Sequence, residues 1–261
     1  MFRSLNIAAT GMAAQETQLE GIAHNIANAN TVGFKRQRTD FQDLLYQTIR
    51  APGAPTGPTT MAPTGLQLGT GVRVVGTSRI FSQGTLVNTN NPLDVAIEGN
   101  GFFVVQQSDG TPAYTRSGEL RTDGEGRIVT SEGLPLDPPV TIPPGATVVS
   151  ISANGTVSAV MPGEKAPVEL GQISVASFVN PAGLRALGHN LYAPTAASGE
   201  PQLGEAGQEG RGTLLQGSLE RANVDIVEEM IGLISAQRAY EVNSKVITTA
   251  DDMLRAATQM R

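Results

Sequence analysis

The sequence from Asn223 to Met260, NVDIVEEMIGLISAQRAYEVNSKVITTADDMLRAATQM, runs for 38 residues without a proline. Apolar side chains recur along it at the spacing that places them on one face of an α-helix. Asn223 stands where an N-cap is expected, acidic residues follow it, and Arg255 lies near the other end, in agreement with the helix dipole. This length is unusual for a globular protein and predicts a helix that packs lengthwise against other helices. The residues expected on its apolar seam are Val227, Ile231, Ile234, Val242, Val246 and Met253.

The amino-terminal segment carries a similar pattern. An apolar residue stands at every seventh position, at Leu5, Met12, Leu19 and Ile26. Seven-residue spacing is the periodicity of helices that pack along their length. The seam is narrow and is interrupted by glycines, each of which costs about 1 kcal/mol relative to alanine inside a helix. We therefore expect two terminal helices that pair with each other or with neighbouring subunits.

The middle of the chain has the pattern of short strands. Apolar runs such as Val95–Ile97 and Phe102–Val105 alternate with turn signals, and Asn154-Gly155 separates two alternating runs that predict a β-hairpin. Short, regularly punctuated strands indicate an all-β body. The predicted fold class is therefore α+β, with long terminal α-helices forming a coiled-coil-like core around an antiparallel all-β middle domain.

The same patterns divide the chain. We expect residues 1–34 and 222–261 to form a paired helical domain, residues 35–75 an extended linking region, and residues 76–221 a β-rich domain with its connection back to the last helix. Within the linking region, residues 46–71 are rich in proline and glycine. Because proline removes backbone donors, this stretch is expected to be an extended loop or the edge of a strand.

Composition excludes several classes of function. Cysteine and tryptophan are absent, which rules out disulfides, cysteine-bound metals and thiol nucleophiles. Lys plus Arg total 18 against 24 for Asp plus Glu, and the resulting net charge of −6 disfavours a nucleic-acid partner. No run approaches the roughly 20 apolar residues of a membrane-spanning helix. The amino terminus also lacks the pattern of a cleaved secretory signal.

Few residues are candidates for catalysis. Asp94 and Glu98 share a face of a predicted strand, but four residues separate them, so we expect solvated or locally hydrogen-bonded carboxylates. The two histidines, His24 and His189, have no metal-ligand or triad spacing around them. We expect no catalytic residue, no cofactor and no metal site.

A basic cluster follows the first helix. Lys35, Arg36 and Arg38 lie close to the acids Asp40 and Asp43. In an acidic chain such a cluster is expected to pair with nearby carboxylates and not to form a binding patch.

Two long motifs resemble known ones. The stretch Ala23–Lys35, AHNIANANTVGFK, resembles the amino-terminal signature of bacterial flagellar rod and hook proteins, and Gln237–Glu241, QRAYE, resembles part of their carboxy-terminal signature. Residues 218–220, 223–225 and 243–245 add to the second match. The positions taken from these motifs are Asn25, Asn28, Thr31, Gly33, Phe34, Lys35, Arg238, Tyr240 and Asn243.

The resemblance implies a structural subunit that polymerises into a hollow helical tube and transmits motor torque across the periplasm to the hook. It implies proximal rod proteins below, the hook protein above and the P-ring and L-ring proteins around the tube. It also implies export from the cytoplasm by the flagellar type III apparatus without a cleaved signal peptide, and no membrane insertion. Leu44–Arg50, followed by Pro52-Gly53-Ala54, resembles the start of an extra stretch that separates the distal rod members from the hook protein, and we expect residues 46–65 to stiffen the tube.

Other functions remain open at this stage. The hook and proximal rod proteins share the terminal signatures, so only residues 46–65 and the chain length favour the distal rod. A peptidoglycan-acting enzyme would need a glutamic acid of raised pKa with a partner carboxylate, or a metal site. A surface adhesin held by terminal coiled coils would form a closed trimer and not an open polymer.

Overall fold

The computed structural model describes residues 2–55, 60–163 and 166–259. The chain divides into two compact units. Unit 1 consists of three segments, Met1–Ile26, Gln37–Ser78 and Ile226–Arg261. Unit 2 consists of Ala27–Arg36 and Arg79–Asp225.

Two long helices lie in unit 1. Helix α1 spans Phe2–Ala27 and helix α2 spans Ile226–Gln259. The Asn25 amide donates a hydrogen bond to Glu229 Oε1 over 3.2 Å. Farther along the pair, a Cβ atom built at Gly11 would lie 3.0 Å from Asn243 Nδ2. Since position 11 meets 243 while position 25 meets 229, the two helices run antiparallel.

The side chains that the two helices bury are mostly small or polar. Within the described helices, the buried side chains of α1 include Ala8, Ala14, Ile22 and Asn25. On α2 they are Glu229, Ala236 and Ala250. Small side chains each bury little apolar area.

Four strands complete unit 1. Strand β1 (Gln37–Asp43) pairs with β4 (Val72–Arg79). Strand β2 (Gln47–Arg50) pairs antiparallel with β3 (Leu66–Leu68), and Gln47 lies opposite Leu68. Beyond this pair, Pro55 and Met61 form an isolated antiparallel bridge. The proline-rich segment therefore extends from a β-hairpin, and its residues 56–59 lie outside the described part of the chain.

Unit 2 is built on a six-stranded sheet with the order β15-β16-β8-β7-β14-β17. Every pairing in it is antiparallel. Its strands are β7 (Phe102–Gln106), β8 (Pro112–Thr115), β14 (Val175–Ser177), β15 (Arg185–Gly188), β16 (Leu191–Ala193) and β17 (Gln202–Gly204).

Smaller sheets surround it in the same unit. They pair β5 (Leu86–Asn88) with β19 (Ser218–Glu220), β6 (Val95–Glu98) with β18 (Thr213–Gln216), β9 (Leu120–Thr122) with β10 (Ile128–Thr130), and β12 (Thr156–Val160) with both β11 (Val148–Ile151) and β13 (Val168–Gln172). A 3-10 turn covers Pro181–Gly183. The predicted hairpin at Asn154-Gly155 is confirmed, because β11 and β12 pair antiparallel around it.

Two apolar clusters form the core of unit 2. The larger one includes Val95, Ile97, Phe103 and Val175, all with no exposed area. The smaller one packs aromatic rings edge to face, with 4.9 Å between the ring centroids of Tyr114 and Phe178. The α+β fold class is thus confirmed, with two helices and antiparallel strands in the described residues.

Candidate functional site

The amino-terminal motif ends at a buried lysine of unit 2. Only 1% of the Lys35 side chain is exposed, and its ammonium group donates to Glu220 Oε1 over 2.6 Å and to the Ser82 carbonyl over 2.8 Å. Burial lowers the pKa of Lys35, and the adjacent positive charge of Arg116 acts in the same direction. Glu220 opposes both effects by its charge and its hydrogen bond. Lys35 therefore pairs across the fold with Glu220 and not, as expected, with a neighbouring acid.

A second cation shares the same carboxylate. Arg116 Nε donates to Glu220 Oε2, and the rest of its guanidinium donates to the carbonyls of Ile97, Gly99 and Gly101. At most 4% of the Arg116 and Glu220 side chains is exposed. We call Lys35, Arg116 and Glu220 the buried ion cluster.

The residues just before Lys35 are held by the same region of unit 2. Gly33 has φ +70°, and a Cβ atom there would lie 2.6 Å from the Ser117 nitrogen, so only glycine fits. The Gly33 amide donates to the Glu220 carbonyl over 2.8 Å. Phe34 is buried, and the Arg79 guanidinium lies 5.8 Å from the centre of its ring.

Three further motif residues make short-range contacts. Asn25, 1% exposed, accepts from the Gln37 amide and donates to the Gln37 carbonyl, both over 2.9 Å. These bonds fix the chain between α1 and β1 in unit 1. The Thr31 hydroxyl donates to Asn28 Oδ1 over 3.2 Å in the turn that follows.

The carboxy-terminal motif residues have different environments. Arg238 and Tyr240 are exposed on α2. Asn243 is half-buried opposite Gly11. The structure thus brings Asn243 into the helix pair and leaves Arg238 and Tyr240 on its surface.

None of the predicted seam residues is fully buried in the single chain. Leu5, Met12, Leu19 and Ile26 are half-buried on α1. All six seam residues of α2 are exposed, from 42% to 65%: Val227, Ile231, Ile234, Val242, Val246 and Met253. Three of them, Val242, Val246 and Met253, line a groove of about 460 Å³ with Ser4 and Ala250. That these residues form the assembly surface stays a prediction about the polymer.

Asp94 and Asn223, two polar residues singled out in the sequence, make hydrogen bonds within unit 2. Asp94 is buried, and its carboxylate accepts hydrogen bonds from Thr89 and Asn91 over 2.6 and 2.9 Å. Asn223 does not cap α2, since the helix begins at Ile226. Its side chain instead accepts from the Arg36 amide and donates to the Ile80 carbonyl.

Neither a metal site nor a membrane span is found in the described residues. They hold no group of three or more His, Asp or Glu side chains arranged to bind an ion. In that same part of the chain, neither helix has the length and apolar character needed to cross a bilayer.

Sequence reasoning missed the role of two residues. Glu220 lies in the motif segment 218–220, but nothing in the spacing of Glu220 or Arg116 indicates that they meet Lys35. A lone buried acid cannot be recognised from sequence when its two partners lie 185 and 104 positions away.

Comparison with known proteins identifies the family. Three family models match, described as the flagella basal body rod protein at residues 5–35, the flagellar hook protein FlgE/F/G D1 domain at 96–159 and the flagellar basal body rod FlgEFG protein C-terminal at 215–260. The flagellar basal-body rod protein FlgG of Caulobacter vibrioides is 49% identical over 99% of both chains.

Two other relatives agree along their whole length. FlgG of Buchnera aphidicola from Acyrthosiphon pisum is 48% identical, and FlgG of Bacillus subtilis is 38% identical, each over 100% of both chains. This is a family of structural proteins and not of enzymes. The chain belongs to the FlgG family of flagellar basal-body rod proteins.

Proposed function

We propose that copies of this chain assemble into a hollow helical tube, the distal part of the flagellar rod, which carries motor torque across the periplasm to the hook. The exposed apolar seam of α2 carries this proposal. Ile231 and Val242 are 60% and 62% exposed although both are large and aliphatic. Fully burying one such side chain is worth about 1.5–3 kcal/mol, so contact with further copies would stabilise the polymer strongly.

The proposed arrangement places the helices at the centre. Residues 1–34 and 222–261 would form a coiled-coil-like inner core in which each helix packs against several copies. Residues 76–221 would form the outer wall, and residues 35–75 would link the two. The exposure of the large α2 seam residues supports this, because it leaves them available to other copies.

The partners follow from that position. Proximal rod proteins would lie below, the hook protein above, and the P-ring and L-ring proteins around the tube. Each subunit would reach its place through the flagellar type III export apparatus without a cleaved signal peptide.

The β2–β3 hairpin is proposed to stiffen the tube. It exposes a row of large apolar side chains, Leu45, Tyr46, Ile49, Met61 and Leu66. A hairpin with such a surface can lie across the contact between adjacent subunits and restrict their sliding.

Electron microscopy of polymers tests the assembly proposal. We expect the purified chain to form tubes at high concentration, and Ile231→Ser combined with Ile234→Ser to remain monomeric. Both side chains are exposed in the single chain, so the circular dichroism of the monomer should not change.

Glu241→Ser is the matched control. Glu241 is an exposed α2 residue outside the seam, and this variant should polymerise like the unmodified chain. Tubes of normal yield from the seam variant would refute the proposed interface.

A further inference from the structure

Three distant parts of the sequence meet at the buried ion cluster of unit 2. Lys35 and Glu220 are 185 residues apart, and Arg116 is 104 residues from Glu220. All three side chains are at most 4% exposed. The cluster therefore forms only when the beginning, middle and end of unit 2 have come together.

Its charges are not balanced in pairs. Lys35 and Arg116 are both cations, while Glu220 is the one carboxylate that the described contacts give to either of them. Their other partners are backbone carbonyls, which satisfy hydrogen bonds but carry no net charge. Removing one partner from a buried ion pair is strongly destabilising because it leaves a buried charge without compensation.

Glu220 also organises the backbone around it. Its Oε1 accepts from the Gly84 amide over 2.7 Å, and its carbonyl accepts from the Gly33 amide over 2.8 Å. In the β5–β19 pair it lies opposite Leu86. Docking this one residue thus completes hydrogen bonds to the segments that contain Gly33 and Gly84.

We propose that the buried ion cluster is an end-of-chain lock: unit 2 reaches its stable form only after Glu220 has docked between Lys35 and Arg116. A chain is made from its amino terminus, so both cations emerge long before Glu220. Until then, closing the core would bury two like charges near each other without an acid. The lock keeps unit 2 open until its last segment is available, and it is a property of the single chain, independent of the polymer.

Hydrogen exchange on the full-length Glu220→Gln variant tests the lock. The substitution removes the charge and retains nearly the same shape. We expect amides of β7 and β12 to exchange about a hundredfold faster or more than in the unmodified chain, although neither strand contains a partner of Glu220. Faster exchange confined to residues 84–88 and 216–221 would overturn the proposal.

The control is Glu119→Gln, which removes an equal charge from the exposed pair with Arg121. Exchange in β7 and β12 should not change in this variant. An effect as large as that of Glu220→Gln would show that any loss of negative charge opens unit 2, against the proposal.

A double variant separates charge from shape. Lys35→Met combined with Glu220→Gln leaves only Arg116 in the cluster, with its three carbonyl partners. We expect this variant to exchange at least tenfold more slowly in β7 than Glu220→Gln alone, even if the single variant is largely unfolded. Equal or faster exchange would overturn the charge argument.

Hydrogen-exchange pulse labelling during refolding of the unmodified chain tests whether the core strands become protected before or together with the segment that contains Glu220. Stable protection in β7 and β12 should appear together with protection in residues 216–221. Protection of the two strands before that segment would show that the core closes without Glu220, and the lock would be refuted.

Discussion

The structural roles of Gly33 and Tyr114 come from their surroundings in the fold and cannot be read from their residue types alone. The motif match singled out Gly33, but its left-handed backbone and its closeness to Ser117 appear only in the fold. Tyr114 is 1% exposed and lies against Phe178, in a strand that the alternating pattern did not mark. Substitution of either residue is expected to change the stability of unit 2.

Replacing Gly33 with alanine should destabilise unit 2 by roughly 2–5 kcal/mol. The left-handed conformation accounts for about 1–2 kcal/mol of this, and the close contact with Ser117 for a further 1–3. Gly110→Ala is the matched control, since Gly110 has φ +81° and no atom within 4 Å of its missing Cβ. Urea unfolding followed by circular dichroism measures both variants. Equal losses would mean that the contact adds nothing.

The buried Tyr114 predicts a loss of stability in alkali. Burial raises its pKa above the ordinary value of 10.0, and the negative charge of Asp137 adds to the effect. The unfolded chain therefore releases this proton at lower pH than the folded chain. The protonated Tyr114 hydroxyl therefore contributes to the free energy of unfolding. This contribution is fully present below pH 10.0 and is lost as the pH rises through the pKa of the folded state.

Urea titrations between about pH 9 and 11 test this sign. The free energy of unfolding should fall less steeply in Tyr114→Phe than in the unmodified chain. A Tyr114→Phe slope equal to that of the unmodified chain would contradict the prediction.

Among the elements, the helices were easier to predict than the faces they bury. The seven-residue spacing of Leu5, Met12 and Leu19 gave the period of α1. In the structure Ala8, Ala14 and Ile22 are buried, while Leu5, Met12 and Leu19 are only half-buried. Spacing fixes how often a face recurs along a helix, but it does not identify which face the rest of the fold covers.

For the strands, the sequence predicted several positions along the chain but not how the strands pair. Short apolar runs identified β6, β7 and β11, and Asn-Gly identified one hairpin. Strand order could not be predicted, because pairing of distant strands depends on the whole fold and not on local pattern. The same holds for the buried ion cluster, whose partners no local signal connects.

The helix α2 is expected to be weakly protected in the dilute monomer. Beyond Ala236, Ala250 is its one buried side chain among those described. Amides of residues 242–259 should exchange at least about a hundredfold faster than those of β7 in the same sample, because local opening exposes little apolar surface. Polymerisation should slow them, and strong protection already present in the monomer would contradict this prediction.

At the scale of the whole molecule, one chain leaves two apolar surfaces uncovered. The α2 seam and the β2–β3 hairpin both expose large apolar side chains. Contiguous exposed apolar surface usually marks an interaction site. The seam is proposed to hold copies together, and the hairpin is proposed to limit how far they slide.

Shortening the hairpin should make the polymer more flexible. We expect deletion of residues 52–63, which leaves β2 and β3 in place, to give tubes of shorter persistence length in electron micrographs. Val148→Ser, at an exposed position of unit 2, controls for general surface changes and should leave the tubes stiff. Unchanged stiffness after the deletion would refute the role of the hairpin.

The division of the chain into interleaved segments has a consequence for how such proteins diversify. A single genetic exchange between relatives that replaced Arg79–Asp225 would transfer most of unit 2 and leave all three segments of unit 1 with their native partners. Lys35 lies outside the exchanged segment, whereas Arg116 and Glu220 lie inside it. In such a hybrid, Lys35 from one parent must therefore pair with the residue that the other parent supplies at position 220.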